Sequence, residues 1–292
     1  MKNIYLDHNI YIETIEDRDL YKFLIEIKKK NDMRFLYSPA HIEEIYKVEA
    51  NQNSKYRFRM DELIKNISNI TDNNELFPTF NGIVIKNENL SWCHERVKNF
   101  DTRERVEEDS KIRFNQDKEN YNKLLKKSKK NKGISTIPFD KIWENDIVKS
   151  EIDNLNKNIS KLIDAYNNSL ENIIFMLMGV DRRLSQNFYF KRGNFNVLKK
   201  SFNDLEYTIE ILFRVLNFCG YNAEKKEKTS ISATHDVTHA IYATEADYLV
   251  SNDTKFVAKC RAVYYYLGIK TKVIYTRQDN IKDTLNNIII EK

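Results

Sequence analysis

The feature of this sequence that most constrains its fold is the alternation, at both ends of the chain, of short apolar runs with segments of helical periodicity. Residues 4–6 and 34–37 are such runs near the amino end, and residues 248–250 and 272–275 are their counterparts near the carboxyl end. Strands that alternate with helices of about three turns form a parallel sheet covered by helices on both faces. We therefore predict an α/β protein whose ligand site lies beyond the carboxyl ends of the strands.

Helical periodicity predicts the elements that follow these strands. The predicted helices cover residues 10–30, a segment that opens at Ser38-Pro39, and residues 235–245, 254–267 and 279–290. Ser38 is the expected N-cap, and Pro39 stands in the first turn, where a missing N–H is tolerated. Residues 79–85 are interpreted either as an extra strand or as a buried loop.

The middle of the chain has little strand pattern and much helical pattern. We predict that residues 1–89 and 230–292 are the two halves of one α/β domain, and that residues 90–229 form a large α-helical insertion. The clearest helical patterns in the insertion are at residues 145–178 and 198–216. Six glycines and three prolines in 292 residues are too few for a turn-rich β-sandwich, which also favours long helices.

Composition excludes several classes of protein. With 41% hydrophobic and 12% aromatic residues, the chain can bury a core, which rules out wholesale disorder. Cys93, Cys219 and Cys260 form no C-x-x-C pair, which argues against a disulfide framework and a cysteine zinc site. No run approaches the ~18–20 apolar residues of a transmembrane helix, and no signal-peptide pattern opens the chain. We therefore expect a cytoplasmic protein without a membrane partner; its net charge of +5 permits a polyanionic partner but does not require one.

Carboxylates stand where predicted strands end or on helices near those ends. Asp7 follows the first strand, Asp253 follows residues 248–250, and Asp236 lies near a helix start. The second helix adds the adjacent Glu43 and Glu44. Clustered carboxylates repel one another unless a cation is present, so this set implies a hard divalent metal, Mg²⁺ or Mn²⁺. Such metals activate water and neutralise charge on phosphate oxygens, which suggests phosphodiester hydrolysis.

In four segments the chain resembles the PIN-domain nucleases. They are Tyr5-Leu6-Asp7-His8-Asn9, Ser38-Pro39-Ala40-His41-Ile42-Glu43-Glu44-Ile45, Asp236-Val237-Thr238-His239-Ala240-Ile241-Tyr242-Ala243 and Tyr248-Leu249-Val250-Ser251-Asn252-Asp253-Thr254-Lys255-Phe256. Their order and strand–helix context match the pattern of that family over residues 1–60 and 230–292. The helical insertion is longer than in compact members of the family.

The resemblance implies a PIN-like parallel sheet flanked by helices and a metal-dependent endoribonuclease that uses Mg²⁺ or Mn²⁺. The catalytic and metal-binding residues that it implies are Asp7, Glu44, Asp236 and Asp253, with Glu43 as the alternate to Glu44. The residues expected to orient carboxylates or water are Asn9, Ser251 and Asn252. RNA is the expected substrate, with DNA as the alternative. A toxin or phage-defence role, a regulatory protein partner and a homo-oligomer are further expectations from the family.

Two basic stretches are candidates for nucleic-acid binding. Residues 123–132 contain six lysines and are interpreted as a solvated connection. In residues 182–203 the basic side chains are Arg182, Arg183, Lys191, Arg192, Lys199 and Lys200. They interleave with the aromatic residues Phe188, Tyr189, Phe190 and Phe195, a pattern that binds single strands by stacking and phosphate contact. Packing of an amphipathic helix explains the aromatic residues equally well.

Other chemistries fit the sequence less well. His235 and His239 are four residues apart but lack the Glu of an H-E-x-x-H zinc helix, so His239 is interpreted as a buried packing residue. His41 is an alternative substrate contact. A phosphatase with Asp7 as nucleophile is disfavoured, because Asn9 stands where a second Asp is usual. A binding module that holds RNA or protein without cutting it is the main alternative to the nuclease.

Overall fold

The computed structural model describes residues 1–50, 57–99, 134–168, 190–223 and 227–290, together with the single positions 115, 119 and 122. The strands are β1 (Lys2–Leu6), β2 (Met33–Leu36), β3 (Asn74–Thr79), β4 (Gly82–Asn87), β5 (Tyr248–Ser251) and β6 (Lys272–Tyr275). The helices of the amino-terminal part are α1 (His8–Glu16), α2 (Arg18–Lys30), α3 (Pro39–Ala50), α4 (Met60–Thr71) and α5 (Leu90–Asn99). Those that follow are α6 (Asp146–Asn167), α7 (Phe195–Leu198), α8 (Phe202–Phe218), α9 (Glu227–Tyr242), α10 (Thr254–Leu267) and α11 (Ile281–Ile290).

Four strands form a parallel sheet in the order β2-β1-β5-β6. The register places Ile4 of β1 opposite both Phe35 of β2 and Tyr248 of β5. Strands β3 and β4 form a separate antiparallel hairpin, which meets the carboxyl end of β2 where Leu76 N donates a hydrogen bond to Tyr37 O at 2.8 Å. The fold is therefore the α/β class that the alternation of strands and helices predicts.

Each face of the sheet lies in its own hydrophobic core, because successive side chains of a strand point to opposite faces. Ile4 and Leu6 of β1 pack in a core with residues of α1, α2, α4 and α11. Tyr5 belongs to the other core, which contains residues of α8, α9 and α10. Part of α6, including Val148, packs in this second core as well. The described helices between residues 134 and 223 thus pack on the same core as the sheet.

Two local predictions are wrong. Residues 10–30 do not form one helix, because the chain breaks at Asp17, whose Oδ1 caps α2 by accepting hydrogen bonds from the N–H groups of Asp19 and Leu20. Residues 79–85 are neither one strand nor a buried loop but span the turn between β3 and β4. Gly82 opens β4 with a φ of +111°, a conformation that favours glycine, and Lys199 O would lie 2.2 Å from an added Cβ.

The other predicted elements are confirmed with small changes at their ends. α10 and β6 have the predicted bounds, α9 begins earlier at Glu227, and α11 begins at Ile281 after a short 3₁₀ turn. For the predicted helix at 145–178, the structure describes a helix that ends at Asn167, and residues 169–178 lie outside the described residues. The lysine run at 123–132 also lies outside them. Among the described helices, none combines the length and the apolar character that a membrane span requires.

Candidate active site

The carboxyl ends of β1 and β5 form the crevice at which the sheet changes its winding direction. From β1 the chain first adds β2 on one side and later places β5 on the other side. In open α/β sheets, ligands bind at this topological switch point. Asp7 directly follows β1 and Asp253 lies two residues beyond β5, so the topology brings both carboxylates to this crevice.

Ser251 connects these two segments. Its Oγ donates a hydrogen bond to Asp7 Oδ2 at 2.6 Å and accepts one from Asp253 N at 3.0 Å. Asp253 caps α10, since its Oδ1 accepts from the N–H groups of Lys255 and Phe256 at 2.8 Å each. Asp7 precedes α1 but makes no side-chain cap bond to it, so its carboxylate is directed towards Ser251. Both carboxylates are thus held by defined hydrogen bonds.

α3 supplies the third carboxylate, Glu44. Its Oε1 accepts a hydrogen bond from His239 Nε2 at 2.9 Å, and its Oε2 lies 3.8 Å from His8 Nε2. Burial by itself raises the pKa of Glu44, but the neighbouring His8 and the hydrogen bond from His239 outweigh burial and hold the pKa well below its usual value. Glu44 is therefore an ionised carboxylate of this centre.

The adjacent Glu43 has a different environment. Its side chain is 38% exposed, against 25% for Glu44, and its carboxylate lies 3.8 Å from His235 Nδ1. The structure thus places the Glu44 carboxylate beside His8 and His239 and leaves Glu43 more exposed. The two glutamates therefore differ in their partners: Glu44 is bonded to His239, and the more exposed Glu43 lies near His235.

A buried hydrogen-bond network connects Glu44, through His239, to Tyr5 and Ser38. Tyr5 OH lies 2.6 Å from both His239 Nδ1 and Ser38 Oγ. His41 Nε2 donates to Leu6 O at 2.9 Å, and its Nδ1 accepts from Ser38 N at 3.1 Å, which is the pattern of a neutral imidazole. Burial, with His239 nearby, lowers the pKa of His41 well below its usual value. His41 is fully buried, so the suggestion that it contacts substrate is wrong in this structure.

Asp236 of α9 is the fourth carboxylate. Burial raises its pKa well above the usual value, Lys259 acts in the opposite direction, and the negative charges of Asp7, Asp253 and Glu44 raise it further. Burial also raises the pKa of Asp7, with Glu44 and Asp253 adding to the effect. Since such charge effects act over short distances, the four predicted carboxylates share one region of the protein.

The chemistry of these donors fits a hard divalent cation. Carboxylate oxygens that repel one another in a partly buried crevice are the ligands that Mg²⁺ and Mn²⁺ prefer. Among the described residues, however, no three of the four carboxylates have oxygens within 4.8 Å of one another. Mg²⁺ usually keeps several waters and contacts only one or two carboxylates directly, so it does not require all four carboxylates to meet at one point.

A second acidic group lies at the base of the β3–β4 hairpin. Ligand atoms of Glu75, Glu88 and Cys93 come within 4.8 Å of one another. The carboxylates already accept hydrogen bonds from the Arg96 guanidinium, and Glu88 Oε1 accepts one from Lys86 Nζ at 2.9 Å. Burial and the neighbouring Glu88 raise the pKa of Glu75 to about 7. Because cations of the chain occupy this group, we interpret it as an ion-pair network that anchors the hairpin.

The remaining residues expected to orient the site differ in their placement. Ser251 is buried and contacts both Asp7 and the backbone of Asp253. Asn252 is half-buried, and Asn9 is an exposed residue of α1. Of the three small polar residues, Ser251 is the one for which the structure gives a direct contact with a predicted ligand.

The basic residues of the insertion are only partly described. Arg182 and Arg183, like Phe188 and Tyr189, lie outside the described residues, whereas Lys191, Lys199 and Lys200 are exposed. Arg192 is half-exposed, 3.7 Å from a carboxylate oxygen of Glu144. Phe190 is buried and Phe195 packs against the core. For these two aromatic residues, core packing and not stacking on nucleic-acid bases is therefore the explanation that the structure supports.

Sequence reasoning missed two groups of the centre. Sequence patterns give Tyr5 only as part of a strand, and they do not single out Lys259, a fully buried lysine of α10. The signal for Lys259 was its position between Phe256 and Val263, three residues before and four after it, on the apolar face of a predicted helix. A lysine on such a face calls for a buried anionic partner.

Comparison of the chain with protein families, curated proteins and solved structures yields no significant match.

Proposed function

We propose that this protein is a PIN-like, Mg²⁺- or Mn²⁺-dependent endoribonuclease. The observation that supports the proposal is the convergence of Asp7, Glu44 and Asp253, together with Asp236, at the switch point between β1 and β5. Burial raises the pKa values of Asp7 and Asp236, and the neighbouring carboxylates raise them further. A protein gains nothing in stability from such a cluster unless a cation or a reaction uses it.

The roles of the chain's residues follow from their contacts. Asp7, Glu44, Asp236 and Asp253 would hold the metal, which when bound supplies Lewis acidity to activate water and offset charge on the phosphate. Ser251 keeps Asp7 and Asp253 in fixed orientation, and His239 does the same for Glu44. Single-stranded or looped RNA is the favoured substrate, because its bases and backbone are accessible to side chains.

A second candidate is a binding module that holds RNA or protein without cleaving it. The observation in its favour concerns Lys259. Burial raises the pKa of Asp236, but the positive charge of Lys259 lowers it and so offsets part of the acidic charge without a metal. If the protein is such a binding module, EDTA should not change its binding of RNA or protein, and no cleavage should occur. The nuclease predicts cleavage that requires a divalent metal.

The test is cleavage of labelled single-stranded RNA, structured RNA, and single- and double-stranded DNA with Mg²⁺, Mn²⁺ or EDTA. Wild type is compared with Asp253→Asn, which loses the charge but keeps an N-cap residue for α10. The matched control is Asp247→Asn, because Asp247 Oδ2 accepts from Asn3 N at the opposite end of the strands. We expect metal-dependent RNA cleavage by wild type and by Asp247→Asn but not by Asp253→Asn. Full activity of Asp253→Asn would contradict the mechanism.

A further inference from the structure

The hydroxyl of Tyr5 is a polar group inside the core that β1 shares with α8, α9 and α10. The side chain is fully buried, and its OH lies 2.6 Å from Ser38 Oγ and 2.6 Å from His239 Nδ1. A phenylalanine at this position would fill nearly the same space in the core without a polar atom to satisfy. What the hydroxyl adds to packing is therefore its two short contacts.

The hydrogen bond between His239 and Glu44 has one possible direction. A metal ligand of this type is deprotonated, so Glu44 Oε1 only accepts, and His239 Nε2, at 2.9 Å, carries the proton. A neutral imidazole has a single N–H, so its Nδ1 is then an acceptor. A ring with its proton on Nδ1 instead would turn a lone pair of Nε2 towards the Glu44 carboxylate, and this contact would be repulsive.

Tyr5 OH is the donor that His239 Nδ1 requires. A buried acceptor without a donor is costly, and Tyr5 OH is the group that the structure places within hydrogen-bond distance of Nδ1. Ser38 Oγ can in turn donate to the oxygen of Tyr5. A hydroxyl also accepts hydrogen bonds, so the contact between Tyr5 and His239 persists when the ring holds a second proton. In both states of the ring the N–H on Nε2 stays directed at Glu44.

This chain of contacts begins and ends on α3. Ser38 immediately precedes α3, and Glu44 lies on its second turn. Ser38 contacts Tyr5 of β1, Tyr5 contacts His239 of α9, and His239 donates to Glu44. β1 and α9 thus hold α3 at two points along its length. The partner of one nitrogen of a histidine determines how the other nitrogen meets a metal ligand, so the contact at Nδ1 bears on Glu44.

We propose that Tyr5 is a positioning residue of the proposed metal site, whose hydroxyl holds the His239 ring so that its Nε2–H keeps Glu44 in the orientation that binds the metal. This inference rests on the proposed function and deepens it by one residue. Tyr5 is fully buried and acts through His239, without contact with metal or substrate.

The test is a calorimetric titration with Mn²⁺ of the full-length protein and of Tyr5→Phe, which loses the hydroxyl and keeps the ring. The matched control is Tyr266→Phe, because Tyr266 is also buried and its OH donates to Phe190 O at 2.8 Å, at the end of α10 far from Asp253. We expect Tyr5→Phe to bind Mn²⁺ about 10-fold more weakly than wild type, as is typical when a partner of a metal ligand is lost. We expect Tyr266→Phe to bind like wild type.

The other outcomes of this titration separate the two proposals. Equal affinities of wild type and Tyr5→Phe overturn the role of Tyr5 and leave the metal site standing. An equal loss in Tyr5→Phe and Tyr266→Phe indicates a general effect of removing a buried hydroxyl and also overturns the role of Tyr5. Absence of Mn²⁺ binding in wild type overturns the metal site and this inference together.

A double-mutant cycle tests whether Tyr5 acts through His239. His239→Gln keeps an amide N–H for Glu44 and removes Nδ1, the atom that Tyr5 contacts. We expect Tyr5→Phe to cause no further loss of Mn²⁺ affinity in the His239→Gln background, because the contact is already absent there. A loss as large as that in the wild-type background overturns the proposal.

A measurement on the wild-type protein covers the case in which Tyr5→Phe does not fold. In protein labelled at its histidines and kept in EDTA, the nitrogen NMR signals of the His239 ring show which nitrogen carries a proton. His239→Gln assigns these signals, since they are absent from its spectrum. We expect a proton on Nε2. A ring that carries its proton on Nδ1 alone overturns the proposal independently of metal binding and cleavage.

Discussion

Ser251 Oγ donates a 2.6 Å hydrogen bond to Asp7 Oδ2, which ties the carboxyl end of β5 to that of β1. The same oxygen accepts a hydrogen bond from the backbone of Asp253. One hydroxyl group thus contacts the carboxylate of Asp7 and the backbone of Asp253, two residues near opposite ends of the sequence. We therefore expect the alignment of the proposed metal site to depend on this contact.

Replacing Ser251 by alanine tests this dependence. Residues that orient metal ligands typically contribute about 10-fold to 100-fold in affinity or activity, so we expect a loss of this order in Mn²⁺ affinity and cleavage for Ser251→Ala. We expect the variant to stay folded, because leaving a buried hydrogen-bonding group without its partner typically costs about 3 kcal/mol or less, whereas a whole domain is stable by about 5–15 kcal/mol. Calorimetry and cleavage kinetics measure the two losses. Ser68→Ala, which removes a hydroxyl bonded to Asn73, is the control and should bind metal like wild type.

The doubled glutamates allow a matched comparison. Glu44→Gln removes the charge bonded to His239, whereas Glu43→Gln changes a more exposed carboxylate on the same helix turn. Residues that only orient metal ligands contribute up to about 100-fold in activity. We expect Glu44→Gln to reduce kcat by more than this, and Glu43→Gln to have little effect. Single-turnover cleavage at saturating metal measures both. A larger loss in Glu43→Gln than in Glu44→Gln would reverse the assignment.

Metal binding should stabilise the folded protein. At 100 times the dissociation constant a ligand adds about 2.7 kcal/mol to the free energy of unfolding, and we expect Mn²⁺ to raise the Tm accordingly. Asp7→Asn should abolish this shift and also raise the Tm in EDTA, because it removes one of the charges that repel each other in the centre. Differential scanning calorimetry with and without EDTA measures both effects. Asp247→Asn should keep the full metal-induced shift.

The hairpin network predicts a pH dependence of stability. Burial and Glu88 raise the pKa of Glu75 from its ordinary 4.5 to about 7, so the folded state binds more protons than the unfolded state between these values. Stability contributed by this group is present below pH 4.5 and is lost as the pH rises to 7, by as much as about 3 kcal/mol. Glu75→Gln should flatten this part of the profile. Urea unfolding from pH 5 to pH 8 measures it, and an unchanged slope would contradict the prediction.

The exposed lysines of the insertion make a prediction about substrate binding. If Lys199 and Lys200 contact phosphates, replacing both by alanine weakens RNA binding. It also lowers the slope of the logarithm of the binding constant against the logarithm of the salt concentration, by the amount expected for about two phosphate contacts. Lys29 and Lys30 are another exposed adjacent pair, at the end of α2, and their replacement serves as the control. Fluorescence anisotropy over a range of salt concentrations distinguishes the pairs. Equal slopes for both double variants would remove Lys199 and Lys200 from the RNA-binding surface.

Local patterns in the sequence were sufficient for most of the secondary structure. Short apolar runs and helical periodicity predict β1, β2, β5 and β6, and for α10 they give the exact bounds. The two errors, at residues 10–30 and 79–85, came from a helix cap and a tight turn, which hydrophobic periodicity does not indicate. Asp17 caps a new helix inside a continuous helical pattern, and the turn before Gly82 depends on backbone close to Lys199.

Local sequence patterns were enough to predict the α/β class and the positions of the four carboxylates relative to strands and helices, because these depend on residues close together in the chain. The packed structure decided that Glu44 is bonded to His239 whereas Glu43 stays more exposed. It also decided that Tyr5 and His239 support Glu44. These relationships join elements that are distant in sequence, and they depend on strand order, on helix rotation and on the burial of charge. Such contacts form only when the chain packs, so no local spacing encodes them.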